Sequence, residues 1–292
     1  MNRPADIAAG GAPAAPRAAP PGGAAARSRA AAARAGARRA ASRTALASLG
    51  LLALVLLAWQ YLPPALGVPK FIIPTLGDCL AEMLRMWRYE QLASHALSTA
   101  LYTLLGFAIG SLLGALLGYL LGMAPFWEKV LSPYILALQI APKVAFAPLF
   151  IMWFGYNAMP KLLVTVLIVF FPVLVNVLQA MRTVDRDLIN LARAYNLGRM
   201  GIFLKVEMPS TLPNLMAGLR IASTLAVIGV TVGELVGGNT GLGYLISYGG
   251  GQANAAMVFN AIILLTVIGY LLYAALARIE ERVLHYLPKA HG

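Results

Sequence analysis

Charge is scarce in this chain. Of its 292 residues 12% are Asp, Glu, Lys or Arg and 60% are hydrophobic, whereas soluble domains carry about 25% charged and 45–50% apolar residues. The apolar residues fall in blocks long enough to cross a bilayer, for which about 20 suffice. A soluble enzyme is therefore excluded and an integral membrane protein implied. Cysteine occurs once, at Cys79, so no intrachain disulfide can form and the residue reads as a small packing group. The three histidines, His95, His285 and His291, are scattered, and no metal-ligand cluster accompanies them. No Gly-x-x-x-x-Gly-Lys-Ser/Thr run occurs, so no P-loop nucleotide site is present. The serines lack a nucleophile elbow. With no catalytic constellation, the chain is read as a non-enzyme that binds no cofactor of its own.

Basic charge is concentrated at the start. Eight arginines lie in residues 1–43 (Arg3, Arg17, Arg27, Arg29, Arg34, Arg38, Arg39 and Arg43) against one acid, Asp6. Tails of this kind set topology and touch anionic lipid more often than they bind nucleic acid, which is not expected as a partner here. Residues 1–43 are Ala, Pro, Gly and Arg with almost no large apolar side chain, too little to offset ordering entropy, and a disordered cytoplasmic tail is expected. Arg38-Arg39 faintly suggests a twin-arginine signal. The run that follows is succeeded by further spans, so it reads as a first transmembrane helix.

Six spans are expected, near Thr44–Leu62, Ser98–Met123, Val130–Phe154, Lys161–Met181, Leu212–Val236 and Ala255–Ala277. Between the first two, Leu76, Leu80, Met83, Leu84 and Trp87 recur at helical spacing among charges, predicting a short amphipathic helix over Thr75–Leu92. Residues 44–97 thus hold the first span and this segment, residues 98–284 the core, and residues 285–292 a C-terminal tail. Basic residues near span ends place both termini inside. The Arg182–Pro209 loop, with five basic and three acidic residues, falls on the same side; Gly237–Asn254, which has no Lys or Arg, falls outside.

Three features could carry function. Gly106, Gly110, Gly114, Gly118 and Gly122 line one stripe of the second span, letting another helix backbone approach closely. That contact is either a sliding one in a moving bundle or static packing. The third span is interrupted at Gln139-Ile140-Ala141-Pro142-Lys143 and again at Pro148. Proline frees carbonyls that must face protein or water, and an intramembrane lysine is costly unless paired or wet. Gln139, Pro142, Lys143 and Glu234 are therefore candidate pathway residues, with Lys143 and Glu234 placed in the outer half of the bilayer as a candidate pair. The alternatives are snorkelling and a purely structural ion pair. The glycine-rich segment Gly237–Gly251 lacks a phosphate-cradle pattern and reads as a flexible outer gate or a re-entrant turn.

The loop Asn190-Leu191-Ala192-Arg193-Ala194-Tyr195-Asn196-Leu197-Gly198-Arg199, running on through Lys205 to Pro209, resembles the Glu-Ala-Ala loop of ABC importer permeases. Ala192 and Pro209 fit the motif. Asn190 stands where that family has Glu, Leu191 where it has Ala, and Asn196 where it has Gly. Asn tolerates a left-handed turn next best after Gly. Pro142-Lys143-Val-Ala-Phe-Ala-Pro148 with Trp153-Phe154-Gly155, then Gly218-Leu219-Arg220, then Gly241-Leu242-Gly243-Tyr244-Leu245-Ile246, are similar to permeases of the nitrate/sulfonate/taurine type. The resemblance covers roughly Ser98–Arg282.

It implies an all-α, six-helix bundle like a type I importer permease, in the inner membrane. It also implies a second permease copy and two ATPase subunits that hold ATP and Mg and grip the loop over residues 182–210. An extracytoplasmic binding protein would deliver the solute. Asn190, Leu191, Ala192, Arg193, Asn196, Gly198, Arg199, Lys205 and Pro209 would form the ATPase contact. The implied solute is nitrate, a sulfonate, taurine, or an aromatic vitamin precursor such as a pyrimidine or flavin. The alternative is a stand-alone secondary transporter coupling an ion through Lys143 and Glu234.

Overall fold

The computed structural model describes residues 23–285, with side chains from residue 43 onward. The first 22 residues of the tail lie outside the described residues. Helix α1, Gly23–Ala65, takes in the remainder of a stretch expected to lack structure; its alanines and arginines are strong helix formers. Among the described residues, 23–58 are one unit and 59–285 another. Along residues 43–58 every side chain is exposed.

The second unit is a helical bundle. Its elements are α2 Leu76–Tyr89, α3 Leu92–Gly122, α4 Pro125–Ile140, a 3₁₀ turn Lys143–Phe146, α5 Ala147–Phe154, α6 Ala158–Arg182 and α7 Arg186–Ala194. These are followed by α8 Arg199–Ile202, a π-helical turn Phe203–Glu207, α9 Met208–Gly237, α10 Leu242–Gly251 and α11 Ala255–Val283. Five helices among the described residues are long and apolar enough to cross a membrane, and the pair α4 and Lys143–Phe154, bent by 81°, makes a sixth if it counts as one span. The packing favours six. Gly106 of α3 lies against Thr165 of α6 and Gly122 against Met181, so α3 and α6 run parallel. The chain between them must return across the bundle, and the bent pair supplies that return.

Helix α6 is the centre of the unit, with twelve buried residues. The glycine stripe of α3 meets a matching four-residue stripe on α6: Thr165, Val169, Val173, Val177 and Met181. A Cβ at Gly110 would lie 2.8 Å from the Val166 carbonyl oxygen, and one at Gly114 2.6 Å from that of Phe170. An adjoining face of α6, sharing Thr165, receives α9 in the same manner. Gly218 abuts Asn176, Gly229 abuts the Thr165 Cα, and Gly233 abuts the Lys161 Cα, so α9 runs antiparallel to α6. Lipid tails offer helices no hydrophobic drive to associate, and close backbone approach at small residues supplies the dispersion contacts instead.

Helix α2 forms as the spacing predicts. Thr75 and Asp78 make a reciprocal capping box. The Lys70 ammonium, 2.7 Å away, and the Thr75 hydroxyl hold the Asp78 carboxyl down to about 2. The cap therefore stays ionised as pH falls until that value is reached. Cys79 and Met86 face inward, and Asn260 of α11 donates to the Cys79 carbonyl at 2.8 Å. Leu80, Leu84 and Trp87 face out as an apolar stripe, the arrangement of a helix lying in a membrane interface.

Candidate functional site

Polar groups collect at the two ends of the bundle and at the break in the bent pair. At one end, the last turn of α3, the first turn of α4, the last turn of α6 and the start of α8 meet. The Arg182 guanidinium pairs with Glu128, and Arg199 donates to the Met123 carbonyl, which lies just past the end of α3. From this end hangs α7. Asp185 caps its start by accepting from the Asp187 N–H at 2.8 Å.

Its end is a Schellman turn. The Leu197 N–H donates to the Ala192 carbonyl at 3.1 Å and the Asn196 N–H to that of Arg193 at 2.8 Å. Asn196 sits at φ +54°, in the left-handed conformation anticipated for it where the motif has glycine. Gly198 caps α8 at an ordinary φ of −67°.

Among the residues expected to contact a partner, Ala192 is buried, whereas Asn190, Leu191, Arg193 and Lys205 are exposed. Leu188, Leu191 and Tyr195 present their apolar surface outward, and Leu191 is 55% exposed. They border a groove of about 440 Å³ whose far wall is Lys205, Pro209 and Pro213. Arg199, expected on the contact surface, is engaged with the end of α3 as well.

The opposite end holds the most buried charge in the unit. Lys161, in the first turn of α6, and Glu234, in the last turn of α9, are 4% and 1% exposed. The ammonium donates to Glu234 Oε1 at 3.1 Å, to Ser98 Oγ at 3.0 Å and to the Thr240 carbonyl at 3.4 Å, and it lies 4.4 Å from the centroid of Tyr102. The carboxylate also accepts from the Thr99 hydroxyl at 2.9 Å and from the Gly243 N–H at 3.0 Å. Thr99 in turn accepts the Leu242 N–H at 2.8 Å, and His95 Nδ1 accepts that of Gly241 at 2.9 Å. Three backbone donors at the start of α10, orphans in any helix, are thus satisfied by side chains of α3 and α9.

This geometry corrects two expectations. Glu234 pairs with Lys161 and not with Lys143. The stretch Gly237–Gly251, expected as a flexible gate or a re-entrant turn, is mostly helix α10, with Leu242, Gly243, Leu245 and Gly249 buried. Two of its glycines are explained by the Glu234 side chain. Gly241 has φ +113°, and a Cβ on Gly243 would lie 2.7 Å from the Glu234 Cβ. Lys161 escaped the sequence reading because it falls at a span boundary, where lysine is commonplace. The usable signal was a basic residue opening one apolar helix while an acid closes a later one.

Lys143 lies at the break. Ala141 and Pro142 leave helical geometry (ψ 137° and 89°). The Lys143 ammonium turns back onto the freed carbonyls of Gln139, at 2.5 Å, and Ala141, at 3.4 Å. It also lies 5.1 Å from the centroid of Phe171 on α6. The lysine is thus half-buried and occupied with the backbone that proline opened. A stand-alone transporter coupling through a Lys143–Glu234 pair loses its pair.

A family model described as "Binding-protein-dependent transport system inner membrane component" matches residues 110–285. The chain belongs to this family. The riboflavin transport system permease protein RibX of Chloroflexus aurantiacus is 39% identical over 226 residues, 77% of this chain and 84% of that protein. The formylaminopyrimidine transport permease protein ThiX of Halalkalibacterium halodurans is 38% identical over 168 residues, 56% of this chain and 67% of that one. Permeases named for aliphatic sulfonates, taurine and nitrate are further relatives. A chain of the inward-facing MetNI methionine ABC transporter shares the fold, with TM-score 0.58 and 23% identity over 67% of this chain and 97% of that one. The protein is thus a multi-pass, inner-membrane permease component of a binding-protein-dependent transport system.

Proposed function

We propose that this permease works as one of two transmembrane subunits in an ATP-driven importer, with the loop around α7 as the seat of a partner ATPase. The observation that carries this reading is α7 itself. It is a nine-residue helix held outside the bundle by caps and arginine contacts, with Leu188, Leu191 and Tyr195 unburied above a groove. Apolar anchors beside a groove are how a helix meets a partner surface. ATP and Mg belong to two ATPase copies, and ATP hydrolysis is theirs. The termini and α7 lie on the cytoplasmic side, and the end bearing α10 faces the solute-binding protein. A second copy of the permease completes the pathway.

Leu191→Asp places a charge in the apolar anchor. It is expected to reduce ATPase co-purification about tenfold or more, the cost of losing one well-packed interface residue, while the bundle's melting temperature is unchanged. Stoichiometric ATPase on the variant, with normal uptake, would remove α7 from the coupling role.

Gln139, Pro142 and Lys143 are proposed to line the pathway, supported by the open backbone at the break. Lys143→Met is expected to lower uptake several-fold in an assembled complex, because two freed carbonyls lose their donor where an apolar side chain replaces it. Uptake at the level of the unaltered complex would leave Lys143 a structural residue only. The relatives at 38% and 39% identity are named for a formylaminopyrimidine and for riboflavin, both flat heteroaromatic molecules, and this supports a flat heteroaromatic solute.

A further inference from the structure

The break in the bent pair poses a solvation problem. Backbone without helical hydrogen bonding is tolerated at membrane depth only where protein covers it or where it lines a water-filled cavity. Here Pro142, Val144 and Ala145 are exposed, Val144 by 48%. An ammonium sits among them, with two of its three N–H groups given to Gln139 and Ala141. Hydrocarbon is unsuited to such a surface, so this side of the molecule faces either protein or an aqueous path.

The residues that follow are patterned. In a 3₁₀ turn side chains three apart eclipse, which aligns Phe146 with Lys143. Phe150 and Trp153 continue the same face at helical spacings of four and three. The ring centroids of Phe146 and Phe150 are 6.1 Å apart with planes inclined by 29°, and those of Phe150 and Trp153 are 5.9 Å apart at 53°. Phe150 packs against Ala147, Val164 and Ile168, which fixes the middle of the ladder. Trp153, at its end, is 62% exposed. A fixed run of rings beginning at a cation and ending in an open indole matches a solute with a π-face and a hydrogen-bond acceptor. An aliphatic sulfonate would use only the cation.

We propose that Lys143, Phe146, Phe150 and Trp153 form the surface over which the solute passes, stacking a flat heteroaromatic ring while Lys143 donates to its carbonyl or ring nitrogen. The assignment rests on the permease reading above and on its heteroaromatic solute class, and it adds the residues that read that class.

The test uses the full complex, with its ATPase and binding protein, in liposomes. The probes are riboflavin, a formylaminopyrimidine and, as an aliphatic control, taurine. ATP-dependent uptake of an aromatic probe is expected. Phe150→Leu and Trp153→Leu should each lower it about tenfold, the scale of one lost aromatic stack, and Trp153→Phe should restore most of it. Stimulation of the ATPase by loaded binding protein should survive in all three, since none lies near α7.

A second measurement leaves the rings intact. Val144→Cys in a Cys79→Ser background should react with a membrane-impermeant thiol reagent, and saturating aromatic probe should slow the reaction. Unchanged aromatic uptake in both leucine variants overturns the proposal. So does uptake of taurine alone, or of no probe, by a complex whose ATPase responds to its binding protein. A cysteine at 144 that never labels overturns it too, because a second copy or lipid then covers the break. If uptake proceeds without ATP, the permease reading itself has failed.

Discussion

Glu234→Leu is expected to destabilise the bundle by about 3–5 kcal/mol, the usual cost of removing one member of a buried ion pair. The two partners are not equivalent. Without Glu234, the Lys161 ammonium keeps the Tyr102 ring and, as hydrogen-bond partners, only Ser98 and the Thr240 carbonyl, and the Gly243 N–H loses its acceptor as well. Without Lys161, the carboxylate still accepts from Thr99 and Gly243 and sits at the start of α10, where the helix dipole favours negative charge. Lys161→Met is therefore expected to cost less, about 1–3 kcal/mol. The double variant Lys161→Met, Glu234→Leu should recover part of the loss, because it leaves no uncompensated charge. Thermal unfolding of the purified permease in detergent, followed by loss of its monodisperse chromatographic peak, measures all three. Equal melting temperatures for the single variants would refute the asymmetry, and three unperturbed variants would show that the pair contributes nothing to the fold.

The second large effect is expected along the stripe between α3 and α6. Gly114→Val puts a Cβ 2.6 Å from the Phe170 carbonyl oxygen and 3.1 Å from the Val173 Cβ. Retreat is limited, since α6 is also held by α9 at Lys161, Thr165 and Asn176. Overpacking a tight core costs about 1–3 kcal/mol and occasionally more. Here the upper end is expected, because displacing α3 also lifts Thr99 from Glu234 and Arg199 from Met123 at the two ends. Gly250→Ala is the control: nothing lies within 4 Å of a Cβ there, and the change should be neutral or slightly stabilising through helix propensity. Indistinguishable melting of the two variants would mean that α3 and α6 pack less closely than described. A melting temperature preserved in Gly114→Val together with lost uptake would favour the sliding-contact reading of the stripe over static packing.

Much of this was legible along the chain. The apolar blocks gave the spans, because a bilayer of fixed thickness demands them wherever they cross. The four-residue glycine period announced a close helix contact, and Asn196 announced a left-handed turn, since both are consequences of local sterics. Pro142 marked the break for the same reason. What was misread involved groups distant in sequence. Lys161 and Glu234 are 73 residues apart and meet only because α9 lies antiparallel on α6 with Gly233 against the Lys161 backbone. The segment Leu242–Gly251 looked like a loop because its glycines lower helix propensity; Gly243 is needed where Glu234 approaches the backbone and Gly249 where Met257 does, and packing outweighs the local cost. The π-helical turn Phe203–Glu207 had no signature at all.

The sequence by itself determined the class of the molecule, its family, the number of crossings and the place of the helix that hangs outside the bundle. The class and the crossings follow from composition and period read over a few tens of residues, whereas the family and the place of that helix came from motifs that resemble those of known permeases. Tertiary structure alone decided which charge neutralises Glu234, what Lys143 donates to, and which rings stand in line beside it. Those depend on which faces of α3, α5, α6 and α9 come together, and a buried charge takes its partner from whatever the packing places within hydrogen-bonding reach.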